Sequence, residues 1–312
     1  MTTENKNENE VLTRGAEFGL GLRETSRYTD TQLAMATHGL TELVLNQTPP
    51  VGLNLQILIE QMPAALAHLE AVPDNPAVAL FGLAIVDGVS DTFNLLQHLG
   101  SKGHGTLHVV DIDQAIIEQV AALGQENVST FHEDARHTSL LEHSQDIIIR
   151  DHLGNCCPPE MYTQIEHEVA RVLATSGLSL VNITTSENLL QSPGRRHMSF
   201  EQVCARLPEE VRGALQSRIF SLAQLADEFP DNDWSDLRGC IVEIAPQSFV
   251  VFGEDEHGHG EWFSAFACQE KLWNEAGFEV LAHHTREGED SHQPPLLCVR
   301  HIVLLKKKQE GK

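Results

Sequence analysis

The chain has 312 residues, 41% hydrophobic and 21% charged, which is the composition of an ordinary globular protein and excludes wholesale disorder. Its 45 acidic side chains against 21 basic ones leave a formal charge of -24, which repels phosphate backbones and anionic membrane surfaces and argues against nucleic acid as substrate. No run of about 18 apolar residues is present, so no transmembrane helix is expected.

The start MTTENKNENE lacks the basic region and apolar core of a secretory signal, so a cytoplasmic protein is expected. Cys156, Cys157, Cys204, Cys240, Cys268 and Cys298 contain no CxxC pair, and neither a zinc knuckle nor a disulfide framework is expected. The short basic clusters Arg195-Arg196 and Lys306 to Lys308 read as solvated surface.

In chain order, residues 1–12 read as a disordered tail, because little in them repays the entropy of ordering. Residues 13–76 read as an N-terminal helical cap of two or three helices. Leu53, Leu55, Ile57 and Leu58, then Met62, Ala65, Leu66 and Leu69, recur at helical spacings between Pro49-Pro50 and Pro73. From residue 77 short apolar runs alternate with amphipathic stretches, the pattern of strands buried on both faces and covered by helices. The runs are Val78 to Val86, Leu107 to Val110, Val128 to Phe131, Ile147 to Ile149 and Leu178 to Ile183. Met161, Ile165, Val169, Val172 and Leu173 define one helix face between the last two. Right-handed crossovers then gather the loops along one edge of a mostly parallel sheet.

Residues 184–276 break this rhythm and read as an inserted lid before the last two strands. Glu201 to Arg218 reads as helical, Gly253 to Gly260 as an acidic loop, and Ala265 to Glu275 as a helix ended by Gly277. Phe278 to Leu281 and Cys298 to Leu305 read as closing strands, so the core spans 77–183 and 277–308. The aromatic residues of this half, Trp262 among them, serve as core or as the wall of a substrate pocket.

Four segments carry a family likeness. Leu107-His108-Val109-Val110-Asp111-Ile112-Asp113 places an acid at the end of the second strand, and His132-Glu133-Asp134-Ala135 follows the third. Ser144-Gln145-Asp146-Ile147-Ile148-Ile149 sets an aspartate before the apolar fourth strand, and Arg171-Val172-Leu173 leads through Gly177 into the fifth. In this order they resemble the class I S-adenosylmethionine-dependent methyltransferases. The resemblance implies an α/β, Rossmann-like fold with a mostly parallel seven-stranded sheet and helices on both faces. It also implies S-adenosylmethionine as cofactor and a small organic molecule as substrate, with no nucleic acid or membrane partner and a homodimer left open. Asp111 would take the ribose hydroxyls and Asp134 the adenine amino group. The cofactor contacts implied are Gly82, Asp87, Gly88, Asp111, Ile112, Asp134, Ala135 and Arg150. The first loop, Phe81-Gly82-Leu83-Ala84-Ile85-Val86-Asp87-Gly88, departs from the family by lacking a dense GxGxG, and its turn falls either at Gly82 or at Asp87-Gly88.

The loop after the fourth strand exposes groups to substrate in this architecture, which makes Asp151 and His152 the candidate general bases. Histidine suits proton transfer near neutral pH. His257 with His259, or His283 with His284, are weaker candidates for metal ligands, and no metal is expected because Val181 stands where a second acid is wanted beside Asp151 and Asn182. Methyl transfer to a small molecule is the first functional expectation. The second is a methyltransferase-like fold that performs other chemistry or only binds partners, and a nicotinamide-dependent dehydrogenase is disfavoured because GxGxxG is absent.

Overall fold

The computed structural model describes residues 55–82, 92, 95, 105–205, 222–228, 230–231, 233–253, 260–289 and 296–308. Asp87, Gly88, His257 and His259 lie outside them, as does much of the Glu201 to Arg218 stretch.

Seven strands form the main sheet: β1 (Ala77–Phe81), β2 (Thr106–Asp111), β3 (Val128–His132), β4 (Gln145–Asp151), β5 (Leu173–Thr185), β10 (Phe278–Glu289) and β11 (Leu297–Lys307). Their order is β10-β11-β5-β4-β1-β2-β3. The β3-β2-β1-β4-β5 pairs are all parallel, and β11 runs antiparallel to both β5 and β10. Helices α1 (Leu55–Gln61), α2 (Pro63–Leu69) and α3 (Gln114–Ala122) supply Leu58, Leu69, Ile116 and Val120 to one face, against Val78, Leu80, Val109 and Ile147. Helix α4 (Pro159–Val172) covers the other with Tyr162, Ile165, Val169 and Val172, against Ala79, Phe81, Val110 and Ile148. Alternate residues of one strand enter opposite cores, so the apolar runs are continuous. This is the Rossmann-like architecture expected.

The helix boundaries have local causes. Asp113 caps α3 by accepting from the Ala115 N–H at 2.8 Å. Pro159 opens α4, where its missing N–H costs nothing. Helix α7 (Phe266–Glu275) ends before Gly277, whose φ of +90° favours glycine.

The inserted stretch holds a second sheet. Strands β6 (Arg196–Ser199), β7 (Cys240–Ala245), β8 (Ser248–Phe252) and β9 (Gly260–Ser264) lie in that order, with short helices α5 (Phe200–Cys204) and α6 (Leu222–Glu228). Strands β7, β8 and β9 pair antiparallel, and Gln247 makes the tight turn between the first two with φ +62°. One face packs Val242, Val250, Phe252 and Trp262 with Val203 and Leu222. The other packs Ile241, Phe249, Val251 and Phe263 on Leu189 and Leu296, which flank β5 and β11. The two ends of this excursion meet: the Ser186 N–H donates to the Ser264 carbonyl at 3.3 Å, and the Phe266 N–H to Glu187 Oε1 at 2.5 Å.

Some expectations change. The fifth strand begins at Leu173 rather than Leu178, and the tenth continues to Glu289. Arg195 is 8% exposed and donates to the Gly239 carbonyl, so it is not a surface cation.

Candidate functional site

Parallel pairing puts the C-terminal ends of β1 to β5 on one edge. Strand pairing in β1 stops at Phe81, and Gly82 follows with φ +70°, its N–H donating to the Val110 carbonyl at 3.0 Å. The backbone angle favours glycine, and a Cβ there would lie 2.6 Å from the end of the Leu153 side chain, which would have to shift. The first loop therefore leaves the sheet at Gly82.

Asp111 ends β2, and its Oδ1 accepts the Asp113 N–H at 2.8 Å. The residue that caps α3 thereby also orients the Asp111 carboxylate. Ile112, beside it, is 70% exposed, an apolar side chain left open at the strand end. Asp134 follows β3, and Arg136 grips it: Nε is 3.0 Å from both carboxylate oxygens and the terminal nitrogen 2.6 Å from Oδ2. That guanidinium outweighs partial burial and holds the carboxyl below its ordinary range. Ala135 packs half-buried against the α4-side core.

Beyond β4, Asp151 and His152 come together with Asn182 and Thr184 of β5. Asp151 is in register with Asn182, whose Nδ2 donates to Asp151 Oδ1 at 2.7 Å and lies 3.2 Å from His152 Nε2. His152 has a left-handed backbone, φ +54°, fixed by its N–H bond to the Asn182 carbonyl at 2.9 Å. Its Nδ1 is 3.4 Å from Thr184 Oγ1. Asn182 thus meets one ring nitrogen of His152 and Thr184 the other, and the pair fixes the plane of the imidazole.

Arg150 departs from its expected place. It is 0% exposed, paired in the core with Glu166 of α4 and bonded to Ser179 Oγ at 3.0 Å. Trp273 Nε1 donates to the same Glu166 oxygen at 3.1 Å. Residue 150 follows the alternation of Ile148 onto the α4 face, so its side chain turns away from the strand ends into the core instead of toward the expected cofactor position.

Cys156 is exposed between the buried Asn155 and Cys157. Burial, then Glu261, Asp111 and Asp151, push its thiol up to about 12. Acids from β2, β4 and β9 thus lie within electrostatic reach of Cys156. Sequence reasoning missed Arg136, Asn155 and Thr184, and took Glu261 only as a carboxylate that could complete a metal site with the loop histidines. Asn182 and Thr184 were detectable as polar residues in an otherwise apolar strand.

Among the described residues no three His, Cys, Asp or Glu side chains form a metal site. His283 bonds through Nε2 to His301 Nδ1 at 2.7 Å, and His284, next on β10, alternates to the other face. Trp262 sits in the core on the far face of the second sheet, 3% exposed, rather than in the cleft wall.

No protein-family model matches the chain and no curated protein matches it. Among solved structures it is similar to an S-adenosylmethionine-dependent methyltransferase from Methanosarcina mazei, at 14% identity and TM-score 0.46, over 77% of this chain and 95% of that one. A protein from Pyrococcus horikoshii OT3 is similar at 15% identity and TM-score 0.45, over 82% and 93%. The 1,6-didemethyltoxoflavin-N1-methyltransferase of Burkholderia thailandensis, solved with its substrate and S-adenosylhomocysteine, is similar at 10% identity and TM-score 0.43, over 81% of each. On its own strand order, register and two-sided helix cover, the chain has the Rossmann-like fold that its resemblance to class I methyltransferases implied.

Proposed function

We propose that the protein is a methyltransferase that uses S-adenosylmethionine and acts on a small organic molecule. The observation that carries this reading is Asp111, a carboxylate held by the Asp113 N–H at the end of β2, flanked by the open Ile112 and by the left-handed Gly82 at the end of β1. These residues fit the cofactor. Asp111 would hold a ribose diol, Ile112 would lie on the adenine face, and Gly82 would admit close backbone approach. When bound, S-adenosylmethionine supplies an electrophilic methyl group on a sulfonium centre.

The remaining work falls to the chain's own groups. Asn182 fixes Asp151 and His152 against each other, so an acceptor hydroxyl or amine placed there meets an oriented imidazole Nε2. In this reading Nε2 exchanges the Asn182 amide for the acceptor and removes the proton that the acceptor must lose, and positioning supplies the rest of the effect.

The Asp134–Arg136 pair favours a second reading, a related fold that binds ligands without transferring methyl groups. A carboxylate already gripped by a guanidinium is a poorer partner for an adenine amino group. Calorimetric titration with S-adenosylmethionine and S-adenosylhomocysteine separates the two. Binding of both, with Asp111→Ala weakening affinity by about 1.5 to 3 kcal/mol, or roughly 10- to 150-fold, is the expected result. A folded wild-type chain that binds neither loses the methyltransferase reading and leaves the second.

A further inference from the structure

We propose that Asn155 is a positioning residue: together with the Ser186–Ser264 bond it fastens β9 of the second sheet across the ends of β4 and β5, and so holds the strand that bears Glu261 beside the turn that presents His152. The clamp does not depend on which ligand binds there, whereas treating that place as the acceptor side rests on the methyltransferase reading.

Strands β5 and β9 belong to different sheets and share no ladder. Asn155 adds a side-chain link to the Ser186–Ser264 backbone bond that already ties β9 to the end of β5. Its Nδ2 donates to the Thr184 carbonyl of β5 and to the Trp262 carbonyl of β9, both at 2.8 Å, and its Oδ1 accepts the Thr184 N–H at 3.0 Å. Both amide hydrogens and the carbonyl are thus engaged, on a side chain only 5% exposed. The Asn155 N–H donates to the His152 carbonyl at 2.9 Å, so the same residue fixes the turn that presents the imidazole. Close packing delivers it there, since a Cβ on Gly154 would lie 2.7 Å from Ile183 Cδ1.

The consequence for β9 follows from alternation. Trp262 points into the outer core of the second sheet, so its neighbour Glu261 points the other way, toward the strand ends. Of the carboxylates that raise the Cys156 thiol Glu261 acts most strongly, in agreement with this placement. No isosteric replacement does the same work. Aspartate would set a carboxylate against two carbonyl oxygens, and alanine would leave two buried carbonyls short of a donor.

Cys156, the next residue, reports on the clamp without any need for substrate. Peptide-resolved alkylation of the full chain by iodoacetamide between pH 7 and 9 should find Cys156 slow in the wild type. In Asn155→Ala, release of β9 withdraws Glu261 and admits water, and Cys156 should react about tenfold faster at pH 8 with its rate profile moved to lower pH. S-adenosylhomocysteine affinity should stay within about twofold, since Gly82, Asp111 and Ile112 are untouched. Glu261→Gln in the clamped protein should give a smaller acceleration. A folded Asn155→Ala with an unchanged Cys156 profile overturns the proposal. If that variant does not fold, Asn155→Ser, which keeps one donor and one acceptor, is scored in the same way, and failure of both to fold makes Asn155 a general stability residue and also overturns it. Absence of S-adenosylhomocysteine binding in every variant would sink the methyltransferase reading and leave the alkylation result standing.

Discussion

The two sheets bury both of their faces yet differ in what they bring together. In the main sheet Gly82, Asp111, Asp134 and Asp151, separated by up to about seventy residues, reach one edge because parallel strands must each return by a crossover. In the second sheet β7, β8 and β9 follow one another antiparallel, and successive turns fall at opposite ends. Parallel connection gathers chemistry from distant sequence, and antiparallel connection spreads it. The second sheet accordingly reaches that edge at one strand, β9, through Glu261 and the carbonyl that Asn155 holds.

The largest expected effect lies in the main sheet. Glu166→Gln leaves Arg150 charged and buried without its counter-ion, and loss of one partner of such a pair costs about 3 to 5 kcal/mol. Urea unfolding should show this as a lowered midpoint with an unchanged slope. A loss under about 1 kcal/mol would mean that Arg150 is not dependent on Glu166. Val250→Ala in the second sheet should cost about 2 kcal/mol. Hydrogen exchange should place that loss in β7 to β9, while β1 to β5 stay protected. Equal loss of protection in both sheets would show that they open as one unit and would break the comparison.

A smaller effect is expected at the seam. His301 and His283 stack on Phe266, the first residue of α7, with ring centroids 4.4 and 4.3 Å away. Burial, then His283, press His301 down to about 4, while Glu187 opposes them. His283 is lowered by burial, with Glu270 opposing and His284 adding to the shift. The unfolded chain binds a proton at His301 near pH 6.5 and the folded chain only near 4, so this contribution is complete above about 6.5 and is lost as pH falls toward 4. The loss should be on the order of 1 to 2 kcal/mol. His301→Asn should flatten that part of the stability curve, and a wild-type curve no steeper than the variant's between pH 4 and 6.5 would contradict it.

The main sheet was legible because residues such as Val78 to Phe81 and Ile147 to Ile149 form runs too apolar and too short for surface helices. Asp111 was legible for the related reason that an acid closing such a run must meet solvent or a ligand. Arg150 was not. A strand buried on both faces carries no polar phase, so nothing in Ile147-Ile148-Ile149-Arg150-Asp151 says which way the arginine turns. The usable signal was on α4, where Glu166 stands four residues after Tyr162 and three before Val169, on the inner face, and a buried acid there demands a cation. The second sheet was read as a lid of helix and loop. Its strands are short, and both sides of Phe249-Val250-Val251-Phe252 are apolar, so period-two alternation is hidden.

The excursion that carries the second sheet begins and ends at one point, with Ser186 bonded to Ser264 and Glu187 to Phe266 across 79 residues. A segment whose ends touch asks little of the main chain to close the gap between them, so its length is not dictated by the strands on either side. The main chain thus closes on itself at the base of the second sheet, and side chains, Asn155 and Leu296 among them, tie the excursion to the Rossmann-like core.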